Sequence, residues 1–169
     1  MSLSIPAIPL KTFIDVEASG LDMINSYPIE IAWVDSLGNA DNFRIRPPHD
    51  WVYWDPNAER IHGLSRAELT DGLDVNEAAA RLARSLQLED IISDAPDFDS
   101  FWVNRLMQAA GLQRDFRILD IREVFGEIGS AATVRLCKHL RTHPAQHRAL
   151  PDAKRLADAY SASFCEHSP

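Results

Sequence analysis

The chain of 169 residues carries 17 Lys and Arg against 25 Asp and Glu, a formal net charge of -8, with 46% hydrophobic and 25% charged residues. That length and balance specify one soluble globular domain with a sizeable core and exclude disordered and fibrous classes. The acidity argues against a protein that grips long duplexes through their phosphates, and Cys137 and Cys165, with no C-x-x-C spacing, argue against a disulfide framework or redox motif.

No apolar run reaches a membrane-spanning length, and Met1 to Leu10 is short and broken by proline. It reads as a loose N-terminal segment of a single domain, residues 1–169, and the sequence implies a cytoplasmic protein. Phe13, Ile14, Asp15 and Val16, followed by Glu17, form the first strand, and Ala18 to Leu21 supply its turn. Tyr27 to Asp35 alternates, with Ile29, Ile31 and Trp33 on one face and Glu30, Ala32 and Val34 on the other, which predicts a second strand. Asn42 to Arg46 is a third, stopped by Pro47 and Pro48, and the short connections make the three an antiparallel meander.

His49 to Asn57, with Trp51, Tyr53 and Trp54, reads as an aromatic loop: a flap over the sheet edge or a base-stacking platform. Ser65 and Glu68 form a capping box that opens a short helix, and Asp74 caps the next, built on Ala78, Ala79, Leu82 and Leu86. Ile91 and Ile92 give a short strand. A helix starting near Asp99 buries Phe101, Trp102, Leu106, Met107 and Ala110 and ends at Gly111. Phe116 to Asp120 is a fifth strand, followed by helices over 122–128, about 133–140, and from Pro151 at a first turn to about Phe164. Strands first, then strands alternating with helices, specify a mixed α/β sheet.

Asp15 and Glu17 project from one face of their strand, and two like charges there repel unless a cation such as Mg2+ sits between them; a solvated strand edge is the alternative. His139, His143 and His147 recur every four residues, but Pro144 interrupts any helix that would align them as zinc ligands. Asp152 near a helix start also reads as a carboxylate favoured there by the macrodipole.

Read together, Asp15-Val16-Glu17 with Gly20-Leu21, Phe98-Asp99-Ser100-Phe101-Trp102 and His147-Arg148-Ala149-Leu150-Pro151-Asp152 resemble the three motifs of the DEDDh 3′-to-5′ exonuclease superfamily. That group includes ribonuclease T, oligoribonuclease and the proofreading subunit of bacterial DNA polymerase. Ile61-His62-Gly63-Leu64 and Ile118-Leu119-Asp120 add to the likeness, which covers Phe13 to about Tyr160. It implies a ribonuclease H-like fold with a five-stranded sheet, three antiparallel strands and then parallel ones.

The likeness also implies a single-domain hydrolase using two Mg2+ ions, with Mn2+ as substitute. Asp15, Glu17, Asp99 and Asp152 would be ligands, Asp15 bridging both ions, and His147 the general base; these five are the catalytic residues. Ala18, Gly20 and Leu21 would contact the terminal nucleotide and Phe98 would stack a base or belong to the core. The substrate would be the 3′ end of single-stranded or short nucleic acid, and several relatives imply a homodimer; small size, acidity and the absence of attached polymerase or helicase modules favour RNA over DNA. DNA-end trimming, or a catalytically idle nucleic-acid-binding module, are the rival readings. The second motif departs from the family's Asn-Ala-x-Phe-Asp: Asp94-Ala95-Pro96-Asp97-Phe98-Asp99 has one residue more and three acids. Asp99 is the chosen ligand, Asp94 the runner-up and Asp97 solvated. Arg148, Arg135 and Lys138 are candidates to touch phosphate, against a solvated face as the alternative.

Overall fold

The computed structural model describes residues 9–165. The expected meander is β1 (Thr12–Ala18), β2 (Pro28–Asp35) and β3 (Ala40–Arg44). β1 and β2 pair from Thr12 opposite Asp35 to Glu17 opposite Glu30, and the register shifts at Ala18. β4 (Asp90–Ser93) joins the other side of β1 in parallel, and β5 (Arg117–Asp120) follows it, giving the order β3-β2-β1-β4-β5. This is the mixed five-stranded sheet of the ribonuclease H-like class. β3 lies two residues earlier than its prolines suggested. Ile45 still donates its N–H to Ile29 O at 2.9 Å but bridges Leu73 instead of extending the strand.

Because strand side chains alternate, β1 divides the protein into two cores. Ile14, Val16 and Ala18 join Ile29, Ile31 and Phe43 beneath α2 (Val75–Leu86) and α3 (Pro96–Ala109). Phe13 lies on the opposite face with Ala32 and Val34, against Ala153, Leu156 and Tyr160 of α6 (Ala149–Ser163). Asp15 and Glu17 share Phe13's face and so point to the side on which α6 packs.

The helices differ from expectation where local caps and prolines set the boundaries. α1 (Pro56–His62) forms where the aromatic loop was thought to run on: Asp55 accepts the Asn57 N–H at 2.8 Å, Pro56 opens the helix and Gly63, at φ 71°, ends it. Ser65 opens a 3₁₀ turn (Arg66–Asp71), with both its N–H and hydroxyl donating to Glu68 at 2.8 Å. α3 starts three residues before Asp99, because Pro96 is preset for a first turn. α4 (Arg122–Ile128) is as expected, whereas α5 (Ser130–Thr142) extends beyond 133–140 at both ends, and α6 starts at Ala149, with Pro151 in its first turn.

The aromatic loop packs inward as a flap. Trp51 is buried and stacks on Tyr27 at 5.1 Å, and the Trp54 ring meets His62 edge-on at 6.0 Å. Tyr53 lies so close to Gly20 that a Cβ there would sit 2.7 Å from Tyr53 Cε1, which ties the flap to the turn after β1. Of the segment expected to be loose, residues 1–8 lie outside the described part; the Pro9 carbonyl accepts the Tyr160 hydroxyl at 3.0 Å. Among the described residues no helix is long and apolar enough to cross a membrane.

Candidate active site

Three segments far apart in sequence converge on the face of β1 that carries Asp15 and Glu17. Carboxylate oxygens of Asp15, Glu17 and Asp152 all lie within 4.8 Å of one another. β1 supplies the first two by alternation, and the first turn of α6 supplies the third. Asp152 is buried, and its carboxylate accepts the N–H groups of Gln146 at 2.8 Å and His147 at 2.7 Å. The capping role foreseen for it is therefore directed at the preceding loop, in addition to its place in the cluster.

Asp99 comes from α3 and is 2% exposed, with Ser93 Oγ donating to it at 2.5 Å. It stands outside the close trio but near enough to act on Asp15. Asp94, the alternative at this motif, is exposed at the end of β4 and pairs with Arg155 at 3.3 Å, while Asp97 is solvated as expected.

The charges show what this convergence costs. Burial first, then Asp99, Glu17, Asp152 and Asp94, raise the Asp15 carboxyl well above the usual carboxylate range. Burial, with Asp152 and Glu30 adding to it and Arg148 opposing, pushes Glu17 up to about 7. Burial also pushes Asp99 up to about 8 despite the Ser93 hydrogen bond, with Asp94 and Glu17 contributing. A cavity of about 280 Å³ opens here, lined by the four carboxylates together with Asp94, Phe98, His147 and Arg155. A site of closely spaced carboxylates that resist one another's ionisation fits a hard divalent cation, which takes oxygen ligands and removes the repulsion.

His147 is exposed on the rim, with φ at 57°, a left-handed conformation that few non-glycine residues adopt. Its backbone is fixed from both sides. Asp152 takes its N–H, and the next residue, Arg148, donates Nε and Nη2 to Glu30 at 2.9 and 2.7 Å. Arg148 is thus engaged with Glu30 and is not a free phosphate contact. Glu30 is 3% exposed and also accepts the Ala149 N–H at 3.0 Å; burial pushes its carboxyl up, but these partners outweigh it and hold it below the usual range.

Glu30 was missed in the sequence, although an acid between Ile29 and Ile31 in a strand buried on both faces is a legible anomaly. Removing it leaves a guanidinium without its partner at the start of α6. Glu30→Ala is expected to destabilise the protein by about 3 kcal/mol, measurable as a drop of roughly 6–12 °C in Tm.

Beside the acidic cavity, and sharing Val16, Glu17, Leu21, Trp102 and His147 with it, lies a second of about 250 Å³, lined also by Ala18, Gly20, Ala58, Ile61 and His62. Leu21 is 68% exposed at its mouth. The turn that carries Leu21 is anchored to α3: Trp102 Nε1 donates to Ser26 Oγ at 2.9 Å and Arg105 Nη1 to Ile24 O at 2.7 Å. Phe98, half-buried, stacks on Trp102 at 5.4 Å and lines the acidic cavity, so it serves as core and wall at once. Ala18, Gly20, Leu21 and Phe98 therefore all border one of the two cavities.

The family model named RNase_T and described as Exonuclease matches residues 12–160. The chain belongs to the exonuclease family. This places it in the DEDDh 3′-to-5′ exonuclease superfamily that its motifs resemble. No curated protein matches the chain at a significant level. Among solved structures, a zinc-bound complex of E. coli exonuclease I with single-stranded DNA is 17% identical, with a TM-score of 0.67 over 90% of this chain and 40% of that one. Apo exonuclease I is 16% identical, TM-score 0.66, over 90% and 41%. An E. coli exonuclease I complex with a dT13 oligonucleotide is 18% identical, TM-score 0.60, over 91% and 39%. The exonuclease-family chain thus spans about two fifths of the length of these structures, and at this identity the likeness is one of fold.

Proposed function

We propose that this exonuclease-family domain removes nucleoside monophosphates one at a time from the 3′ end of single-stranded or short nucleic acid, with two Mg2+ ions, replaceable by Mn2+, held by Asp15, Glu17, Asp99 and Asp152. The observation that carries the reading is the convergence of acids from β1, α3 and α6 in one cavity with His147 at its rim. When bound, such ions supply an activated water, neutralise charge on the phosphate oxygens and stabilise the departing alkoxide. Asp15, central to the mutual repulsion, is suited to face both ions, and Asp99 to support the second.

His147, at the rim of the acidic cavity, takes the proton from the attacking water through an imidazole nitrogen. Its strained backbone, pinned by Asp152 and by the Arg148–Glu30 pair, holds the ring over the cavity. The terminal base enters the second, largely apolar cavity between Leu21 and Ile61, with Ala18 and Gly20 along its floor. A preference for RNA rests on the acidity of the chain; the oligonucleotides bound by the exonuclease I relatives are DNA, which supports single strands as the substrate class. Location in the cytoplasm and a homodimer belong to the same proposal.

The test is digestion of matched end-labelled RNA and DNA oligomers with Mg2+ or Mn2+. A ladder shortening from the 3′ end is expected. His147→Ala should slow it by about 10²–10³-fold, the scale of a lost general base. Asp99→Asn should be far more damaging than Asp94→Asn. The reverse order would move the second-motif ligand to Asp94, and a protein that retained oligomers but released no mononucleotides would be an idle binding module.

A further inference from the structure

From Ile128 to Pro151 the sequence contains no Asp or Glu, although the chain as a whole is strongly acidic. This stretch makes α5 and the loop leading to His147. Arg135, Lys138, His139, Thr142 and His143 recur at helical spacing and line one cavity of about 260 Å³ together with Ala162 of α6. His139 and His143, their rings stacked at 4.0 Å, are shared with a neighbouring cavity of about 370 Å³ that also contains Lys154 and Arg155. Arg155 in turn lines the acidic cavity. Shared walls therefore connect the carboxylate site, past Arg155, to the groove between α5 and α6.

One acid, Asp158, lines this groove and pairs with Lys154 at 2.7 Å, while Asp94, in the acidic cavity, pairs with Arg155 at 3.3 Å. Each neutralises one cation, whereas Arg135 and Lys138 form no ion pair among the described residues. Arg135 instead donates Nε to Ser163 O at 2.6 Å, which holds its guanidinium against the groove wall. The groove is left with net positive charge, set against a molecule whose overall charge repels polyanions.

We propose that the α5–α6 groove binds the phosphodiester backbone of the strand upstream of the bond being cut, with Arg135 and Lys138 as its principal phosphate contacts. The proposal rests on the exonuclease reading of the acidic site and adds a direction to it. The strand runs from the apolar cavity, which takes its last base, across the carboxylates and past Arg155 onto α5. The eight helical steps from Arg135 to His143 extend the groove by about 12 Å, room for phosphates beyond the scissile one. Arg155, held by the carbonyls of His143 and Leu140 at 2.5 and 3.2 Å, is the fixed link between the two regions.

The experiment compares kcat/KM for a dinucleotide and a twelve-residue single strand, in the unmodified protein, in the double variant Arg135→Gln/Lys138→Gln, and in Arg84→Gln. Arg84 is an exposed cation on α2 and controls for the loss of a positive charge away from the groove. The unmodified protein is expected to favour the longer strand, and the double variant to lose about tenfold of that advantage through KM. In fluorescence anisotropy with the twelve-residue strand, the slope of log Kd against log salt should fall by roughly 1.4, for two single-strand phosphate contacts.

Equal cleavage of both lengths by the unmodified protein, or an equal loss in Arg84→Gln, would overturn the proposal. So would polyglutamate of matched charge displacing the strand as well as an oligonucleotide does, because the groove would then suit an acidic polypeptide. Were no strand hydrolysed with either metal, the exonuclease reading would fail, and the anisotropy arm would still decide the groove on its own.

Discussion

Asp15→Asn is expected to abolish hydrolysis, by at least about 10³-fold, while making the metal-free protein more stable at pH 8. Both effects come from one geometry. Asp15 is the carboxylate on which the most acidic neighbours act: Asp99, Glu17, Asp152 and Asp94 each make its ionisation harder, on top of burial. An amide of the same shape removes that repulsion but cannot carry the charge that draws a divalent cation. Activity assays beside thermal melts in a chelator would read the two effects separately. A variant that lost activity and also melted lower without metal would mean that Asp15 contributes to the fold and is not a strained ligand.

The metal-free protein should lose stability as pH rises from about 5 to about 8.5, and a divalent cation should return it. Glu17 is raised from 4.5 to about 7 and Asp99 from 3.8 to about 8. A carboxyl whose folded value lies above its unfolded one contributes stability that is complete below the unfolded value and is lost as pH climbs through the folded value. Glu30 works the other way, its carboxyl being held low by Arg148, but its contribution is complete once pH exceeds the ordinary glutamate value.

The net slope above about pH 5 is therefore downward, and Glu17 alone carries on the order of 3 kcal/mol. In a domain of this size that is a fall in Tm of about 6–12 °C. Saturating Mn2+ at pH 8 should recover most of it, and much less at pH 5, where protons occupy the ligands. A Tm that ignored both pH and metal would show that these carboxylates do not face one another in solution.

How far the sequence reveals this site depends on whether a residue's role is local. Asp15 and Glu17 could be placed because strand alternation fixes their common face, and Asp152 because Pro151 marks a helix start. The α1 helix was hidden by its aromatics, although Asp55, Pro56 and Gly63 carried start and stop signals. The early start of α3 comes from Pro96, a local signal that lies outside the motif around Asp99. The partnership of Glu30 with Arg148 could not be read from spacing, since it joins β2 to a residue more than a hundred positions away. Arg155 is similar: it looks like an ordinary surface charge until the packing of α6 brings it to Asp94.

Glu17 and Glu30 stand directly opposite each other on β1 and β2. Like charges in that position oppose strand pairing, and the group that relieves them, Arg148, comes from the far end of the fold. The amino-terminal hairpin should therefore be a poor folding unit by itself, reaching its native register only once the carboxy-terminal helix has docked. Transient undocking of that helix would also disperse the catalytic group while leaving the other core intact, so nuclease competence should vanish at milder denaturant than the sheet does.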